Sequence, residues 1–101
     1  MKFEEFQEKL QNRSVPVIVE IWAPWCMPCK MMAPALEKVS NVYEGKVDLW
    51  RINADENGEL IRSLGVMGIP TMIGFSNGAE LFRFSGALNE EQISQTFSAA
   101  E

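Results

Sequence analysis

Apolar and polar positions change period several times along the chain, and each change marks an element. Phe3, Phe6 and Leu10 recur at helical spacing among charged neighbours, which predicts a short amphipathic helix. From Val15 to Trp22 the residues are mostly β-branched, and Pro16 is tolerable where it stands, at the beginning of a strand. Val17, Val19 and Ile21 would face one side of that strand and Ile18 and Trp22 the other. A strand apolar on both faces belongs in a sheet covered by helices. Met32, Leu36, Val39 and Tyr43 predict a helix from Cys26 to about Tyr43, with Pro34 inside it as a kink. Val47 to Asn53 reads as a second strand, and Glu56 to Leu64 as a short helix stopped by Gly65. Thr71 to Ser76 and Glu80 to Ser85 read as strands joined around Asn77-Gly78, a strong hairpin signal. Asn89 is placed to cap a last helix with Gln92 as its reciprocal partner, and Ile93 and Phe97 form its apolar face.

The resulting order is helix, strand, helix, strand, helix, strand, strand, helix. A strand–helix–strand beginning gives a parallel pair, and the closing hairpin adds antiparallel strands. The expected architecture is an α/β fold with a mixed central sheet sandwiched between helices. No repeat, low-complexity tract or linker interrupts the 101 residues, so residues 1–101 are expected to form a single domain with a core of its own.

Composition narrows the partners more than the fold. Fourteen acidic residues against nine basic ones give a net charge of −5, and no Lys/Arg cluster stands out. Nucleic acid and anionic membranes are therefore poor partners. The beginning, Met1-Lys2-Phe3-Glu4-Glu5, has no apolar export signal, and the nearly apolar run from Val15 to Trp25 is too short to span a bilayer. A cytoplasmic location is expected.

The chain has two cysteines, Cys26 and Cys29, and no histidine. A lone C-x-x-C in a reducing compartment is more often redox-active or metal-binding than structural. Here it follows a buried strand and opens a helix, where free N–H groups and the positive end of the helix dipole stabilise a thiolate at the first cysteine. The second thiol sits one turn on, able to attack a mixed disulfide formed at the first. A structural zinc site normally needs four ligands, so a complete intrachain site of that kind is excluded. A zinc or iron–sulfur site shared across a dimer, and a purely structural disulfide, remain as alternatives.

Trp22-Ala23-Pro24-Trp25-Cys26-Met27-Pro28-Cys29-Lys30 resembles the active-site signature of the thioredoxin family. Gly68-Ile69-Pro70-Thr71 is similar to that family's loop with a cis-proline facing the cysteines. Phe75 to Gly78 and Phe84 to Leu88 are similar to its hairpin and following loop. The resemblance covers essentially the whole chain and implies the thioredoxin fold. It implies Cys26 as the exposed attacking thiol, Cys29 as the buried resolving one, and a cis Pro70. Trp25, Ile69, Pro70 and Gly86 would border a shallow apolar surface where substrates dock, with Ile69 offering backbone groups to an extended segment.

Glu20 lies within an otherwise apolar strand, where burial would raise its pKa and let it accept a proton near neutrality. The family usually carries a buried aspartate at the matching position, so the resemblance implies that Glu20 helps deprotonate Cys29. Arg51 falls where the family often has a lysine; it either pairs with Glu20 or is an exposed strand residue. Met27 replaces the glycine common between the cysteines and, with the retained Pro28, would tune the redox behaviour. The expected function is protein-disulfide reduction and electron transport in cell redox homeostasis, through reversible oxidation of Cys26 and Cys29. Expected partners are disulfide-containing proteins and a thioredoxin reductase. No cofactor or metal is called for, and the protein is expected to be a monomer. An oxidase or isomerase, and a binding module with no turnover, are the competing functions.

Overall fold

A computed structural model describes all residues from Met1 to Glu101. Helix α1 (Phe3–Gln11) buries Phe6 and Leu10, as their spacing requires. Strand β1 (Val17–Trp22) leads through a short loop into helix α2 (Met27–Val42), which returns to strand β2 (Asp48–Asn53). A 3-10 turn (Ala54–Glu56) and helix α3 (Gly58–Ser63) follow, then strands β3 (Thr71–Ser76) and β4 (Ala79–Ser85) and helix α4 (Glu90–Ala100). The sheet order is β2-β1-β3-β4, with β1 parallel to β2 and antiparallel to β3. This is the expected mixed sheet between helices.

Both faces of the sheet are covered. Val17, Val19, Ile21, Ile52, Ile73 and Phe75 pack with Phe6, Leu10 and Leu60 from α1 and α3. Ile18 and Met72 point the other way and pack with Met32, Leu36 and Val39 of α2 and Ile93 and Phe97 of α4. Alternation along β1 thus sorts one strand's side chains into two cores. Pro34 has no N–H to give the Lys30 carbonyl, yet α2 runs through it unbroken.

The chain departs from expectation between Glu56 and Leu64, where one helix was expected. Asn57 interrupts it at φ −134°, between the 3-10 turn and α3. The cause is local competition for backbone groups. Asn53 Oδ1 accepts from the Asp55 N–H at 2.9 Å, and Asn57 Nδ2 donates to the Asn53 carbonyl at 2.9 Å. Gly65 ends α3 as expected, at φ 69°, with its own N–H on Arg62 O and that of Val66 on Ile61 O. Those two bonds form a Schellman closure, which needs the left-handed residue that glycine supplies.

Asn77 and Gly78 turn the β3–β4 hairpin at φ 52° and 81°. Both angles positive is the condition for a tight turn that matches strand twist. At the other end, Asn89 Oδ1 accepts from the Gln92 N–H at 2.8 Å and Gln92 Oε1 accepts from the Asn89 N–H at 2.9 Å. Asn89→Ala removes one half of this box and should cost about 1 kcal/mol. In a thermal melt that loss should appear as a Tm lower by roughly 4–8 °C for a domain of this size, with disulfide reduction unaffected below the transition.

Candidate active site

Strand register collects the site at one end of the sheet. Trp22, the last residue of β1, lies beside Asn53 at the end of β2. Ile21 lies opposite Thr71, the first residue of the antiparallel β3, and Thr71 lies opposite Ser85, the last of β4. The segments just beyond these residues must therefore emerge together: Ala23–Cys26, Asp55, Gly68–Pro70 and Gly86.

The turn after β1 closes when the Cys26 N–H bonds the Ala23 carbonyl at 3.1 Å. Cys26 is then the N-cap of α2, with Pro28 in the first turn, where its missing N–H leaves no intrahelical bond unmade. The Cys29 N–H points at Cys26 Sγ, 3.3 Å away. The two cysteines form a disulfide across a Cα–Cα distance of 5.3 Å. A free N–H at a helix N-terminus is thus aimed at the sulfur where negative charge would develop on reduction. Cys26 was expected to be exposed; in this disulfide form it is 4 % exposed against 1 % for Cys29. The order of the pair is the expected one, but Trp22 and Ile69 pack against the cluster that holds them with Ala23.

The Ile69–Pro70 bond is cis, and Ile69 packs on the cysteine cluster. Gly86, at φ 96°, donates its N–H to the Pro70 carbonyl at 2.8 Å. Thr71 Oγ1 donates to the Gly68 carbonyl at 2.6 Å. Two loops distant in sequence are thereby pinned to each other beside the cysteines. Trp25 stands 68 % exposed. Its Nε1 donates to both carboxylate oxygens of Asp55 at 3.1 Å. Asp55 is a site residue that the linear sequence does not reveal. It sits in the polar stretch Asn53–Asn57, and only the parallel pairing of β1 with β2 brings it to Trp25.

Glu20 is fully buried, and its neighbour in the parallel register is Arg51. Arg51 Nε donates to Glu20 Oε1 at 2.8 Å, so the pairing alternative holds. Arg51 also spreads over Trp22, its guanidinium carbon 4.9 Å from the ring centroid. Glu20 and Trp22 share a face of β1, and one arginine ties the two together. Glu20 Oε2 is buried with no protein partner. Desolvation raises the Glu20 pKa above its ordinary value of 4.5, and the hydrogen bond and charge of Arg51 offset this only in part. Glu20 faces the α2 side of the sheet, the side on which Cys29 is buried. Arg51 is partly exposed and stays hydrated, so burial of the carboxylate outweighs the attraction.

The thioredoxin family model matches residues 1–99 of this chain. The chain belongs to the thioredoxin family. It is 37 % identical over 91 residues to thioredoxin 1 of Nostoc sp., a match covering 90 % of this chain and 85 % of that one. Similarity to the thioredoxin of Pseudomonas aeruginosa is 38 % over 94 residues, covering 93 % of this chain and 87 % of that one. A probable thioredoxin-2 of Caenorhabditis elegans is 44 % identical over 90 residues, covering 89 % of this chain and 62 % of that protein. Family membership and the closed Cys26–Cys29 pair make the protein a thiol–disulfide oxidoreductase, an enzyme acting on disulfides. No helix is long and apolar enough to cross a membrane.

A raised carboxyl pKa makes a signed prediction about this thioredoxin. Protonation of Glu20 favours the folded state, so the stabilisation is complete below 4.5 and is lost as pH rises through the folded value. Glu20→Gln keeps the neutral form at every pH. Urea midpoints measured from about pH 4 to about pH 8 should show the variant gaining stability relative to wild type as pH rises. A difference that stays flat would show that burial does not burden the carboxylate.

Proposed function

We propose that this enzyme works as a protein-disulfide reductase and electron carrier, with Cys26 attacking and Cys29 resolving. The observation that carries the reading is Cys26 at the N-cap of α2 with the Cys29 N–H directed at its sulfur. In the reduced protein the Cys26 thiolate attacks one sulfur of a substrate disulfide. The substrate S–S bond breaks, its second sulfur leaves as a thiolate, and a mixed disulfide to Cys26 forms. Cys29 then loses its proton and attacks Cys26 Sγ, releasing the substrate dithiol and closing Cys26–Cys29. Two electrons have passed to the substrate, and a thioredoxin reductase returns them.

Glu20 is the acceptor for the Cys29 proton. Its burial, its raised pKa and its free Oε2 support that role, because a carboxylate poised nearer neutrality is the better base. Trp25, Ile69, Pro70 and Gly86 border the docking surface, with Trp25 held by Asp55. Met27 and Pro28 tune the pair, Pro28 favouring the reducing direction. The protein acts as a monomer in the cytoplasm on disulfide-containing proteins, without nucleic acid or membrane.

Cys29→Ser should accumulate mixed disulfides with partner proteins, visible on non-reducing gels, whereas Cys26→Ser should form none. Alkylation of the reduced enzyme near neutral pH should label Cys26 first. Labelling of Cys29 first would reverse the assignment. Glu20→Gln should leave the attack step nearly unchanged and slow resolution at Cys29 by about a hundredfold, the lower end for a general base. Stopped-flow measurement of the two phases separates these steps, and resolution at the wild-type rate would remove Glu20 from the chemistry.

A further inference from the structure

Met32 and Met72 are buried in the body of this protein, whereas the methionines that flank its cysteine pair and cis-proline in sequence stand in the open. Met32 and Met72 are 3 % and 1 % exposed, packed in the core beneath α2 and α4. Met27, between the cysteines, is 62 % exposed, and Met67, two residues before Ile69, is 99 % exposed. Met31, one turn beyond Met27 on α2, is 76 % exposed. Two separate elements thus carry exposed thioethers at the site: the first turn of α2, which holds the cysteines, and the loop that leads into Ile69, which packs on the cysteine cluster. With exposed Trp25 they extend the apolar border of the site.

We propose that Met27 and Met67 are oxidant-sensitive modification sites, at which conversion to the sulfoxide switches off docking of protein substrates without disabling the cysteine pair. The proposal rests on the docking reading above. The oxidant is a peroxide. Its O–O bond breaks, an S–O bond forms on the methionine, the sulfur gives up two electrons and the peroxide is reduced to water. A thioether is flexible and apolar and spreads over a partner's apolar side chains, whereas its sulfoxide carries a strong acceptor oxygen. Covering that oxygen without a donor costs free energy, which falls on complex formation and not on the sulfur exchange. When Cys26 and Cys29 are joined as the disulfide, no free thiol competes for the peroxide. The oxidised enzyme is therefore the form in which the methionines take the damage, and the cysteines recover on reduction while the sulfoxides persist. A methionine sulfoxide reductase would restore the surface.

The test treats the disulfide form with hydrogen peroxide, removes the oxidant and reduces the protein with dithiothreitol. Peptide mass spectrometry should find an added oxygen on Met27, Met31 and Met67 and none on Met32 or Met72. KM for insulin, with dithiothreitol as electron donor, should rise on the order of tenfold, the consequence of a buried oxygen without a partner. The rate with a small aromatic disulfide should stay within about twofold, because such a substrate covers little of the border. In Met27→Leu/Met67→Leu, peroxide should leave the KM for insulin where it stood in that variant's own untreated sample. An unchanged wild-type KM with Met27 and Met67 oxidised would overturn the proposal. So would an equal loss with the small disulfide, or a tenfold rise in the double variant. Failure of the untreated enzyme to reduce insulin would instead defeat the reductase reading itself.

Discussion

Strand β1 is hydrogen-bonded along both edges and packed on both faces, and the rest of the molecule is arranged around that constraint. Every residue from Val17 to Ile21 is at most 1 % exposed. A slip of one residue against β2 or β3 would turn Val17, Val19 and Ile21 toward the α2 side and break the two cores at once. The register is therefore firm, and with it the position of everything attached to the end of the strand. Only three residues, Ala23 to Trp25, separate β1 from the N-cap of α2. Cys26 consequently inherits its position from a strand buried on both faces and paired on both edges. A nucleophile and a resolving thiol that must meet in one turn of helix benefit from such a mount, because their separation does not depend on a flexible loop.

The same register brings in the other components without any contact between them in sequence. Antiparallel pairing puts the start of β3 at the end of β1, which is why the cis-proline loop lies beside the disulfide. Parallel pairing puts the end of β2 there as well, which delivers Asp55 to Trp25. Pairing of Thr71 with Ser85 adds Gly86, whose N–H then locks onto the Pro70 carbonyl. One end of the sheet supplies four segments, each anchored by strand hydrogen bonds on its inner side and free to carry function on its outer side.

What could be read from the linear chain was whatever local chemistry decides. The capping box at Asn89 and Gln92, the Asn77-Gly78 turn, the Gly65 stop and the two-faced strand all involve residues within a few positions of one another. The division of the expected helix at Asn57 was not legible, because its cause is side-chain competition whose outcome depends on how Asn53 leaves β2. Asp55 carries no spacing signal, since its partner is 30 residues away. Met67 carries no signal of its own in the linear chain, and only its full exposure shows that it belongs to the surface. Cys26 is the more exposed cysteine, as expected, but its low exposure in the disulfide form was not legible for a related reason. Trp22 at the end of β1 and Ile69 from the cis-proline loop pack on the cysteine cluster only in the folded chain.

Glu20 shows why the buried carboxylate and its arginine have to be considered as one unit. An unpaired carboxylate in that position would be poorly solvated, and burial would favour its protonated form still more. A carboxylate with both oxygens held by a fully buried guanidinium would be firmly ionised, yet too well satisfied to bind a proton. Here Arg51 takes one oxygen through Nε and rests its guanidinium against Trp22, while part of its side chain remains in water. Its hydration weakens its hold, so desolvation keeps the upper hand and the carboxyl pKa stays raised. The second oxygen is left unengaged on the buried side. One oxygen is thus paired with Arg51 while the other has no protein partner, and the net effect of burial and pairing is a carboxyl pKa above its ordinary value. The relation between Glu20, Arg51 and Trp22 is thus a balance between burial, which favours the neutral carboxyl, and a half-hydrated arginine, which favours the charged one.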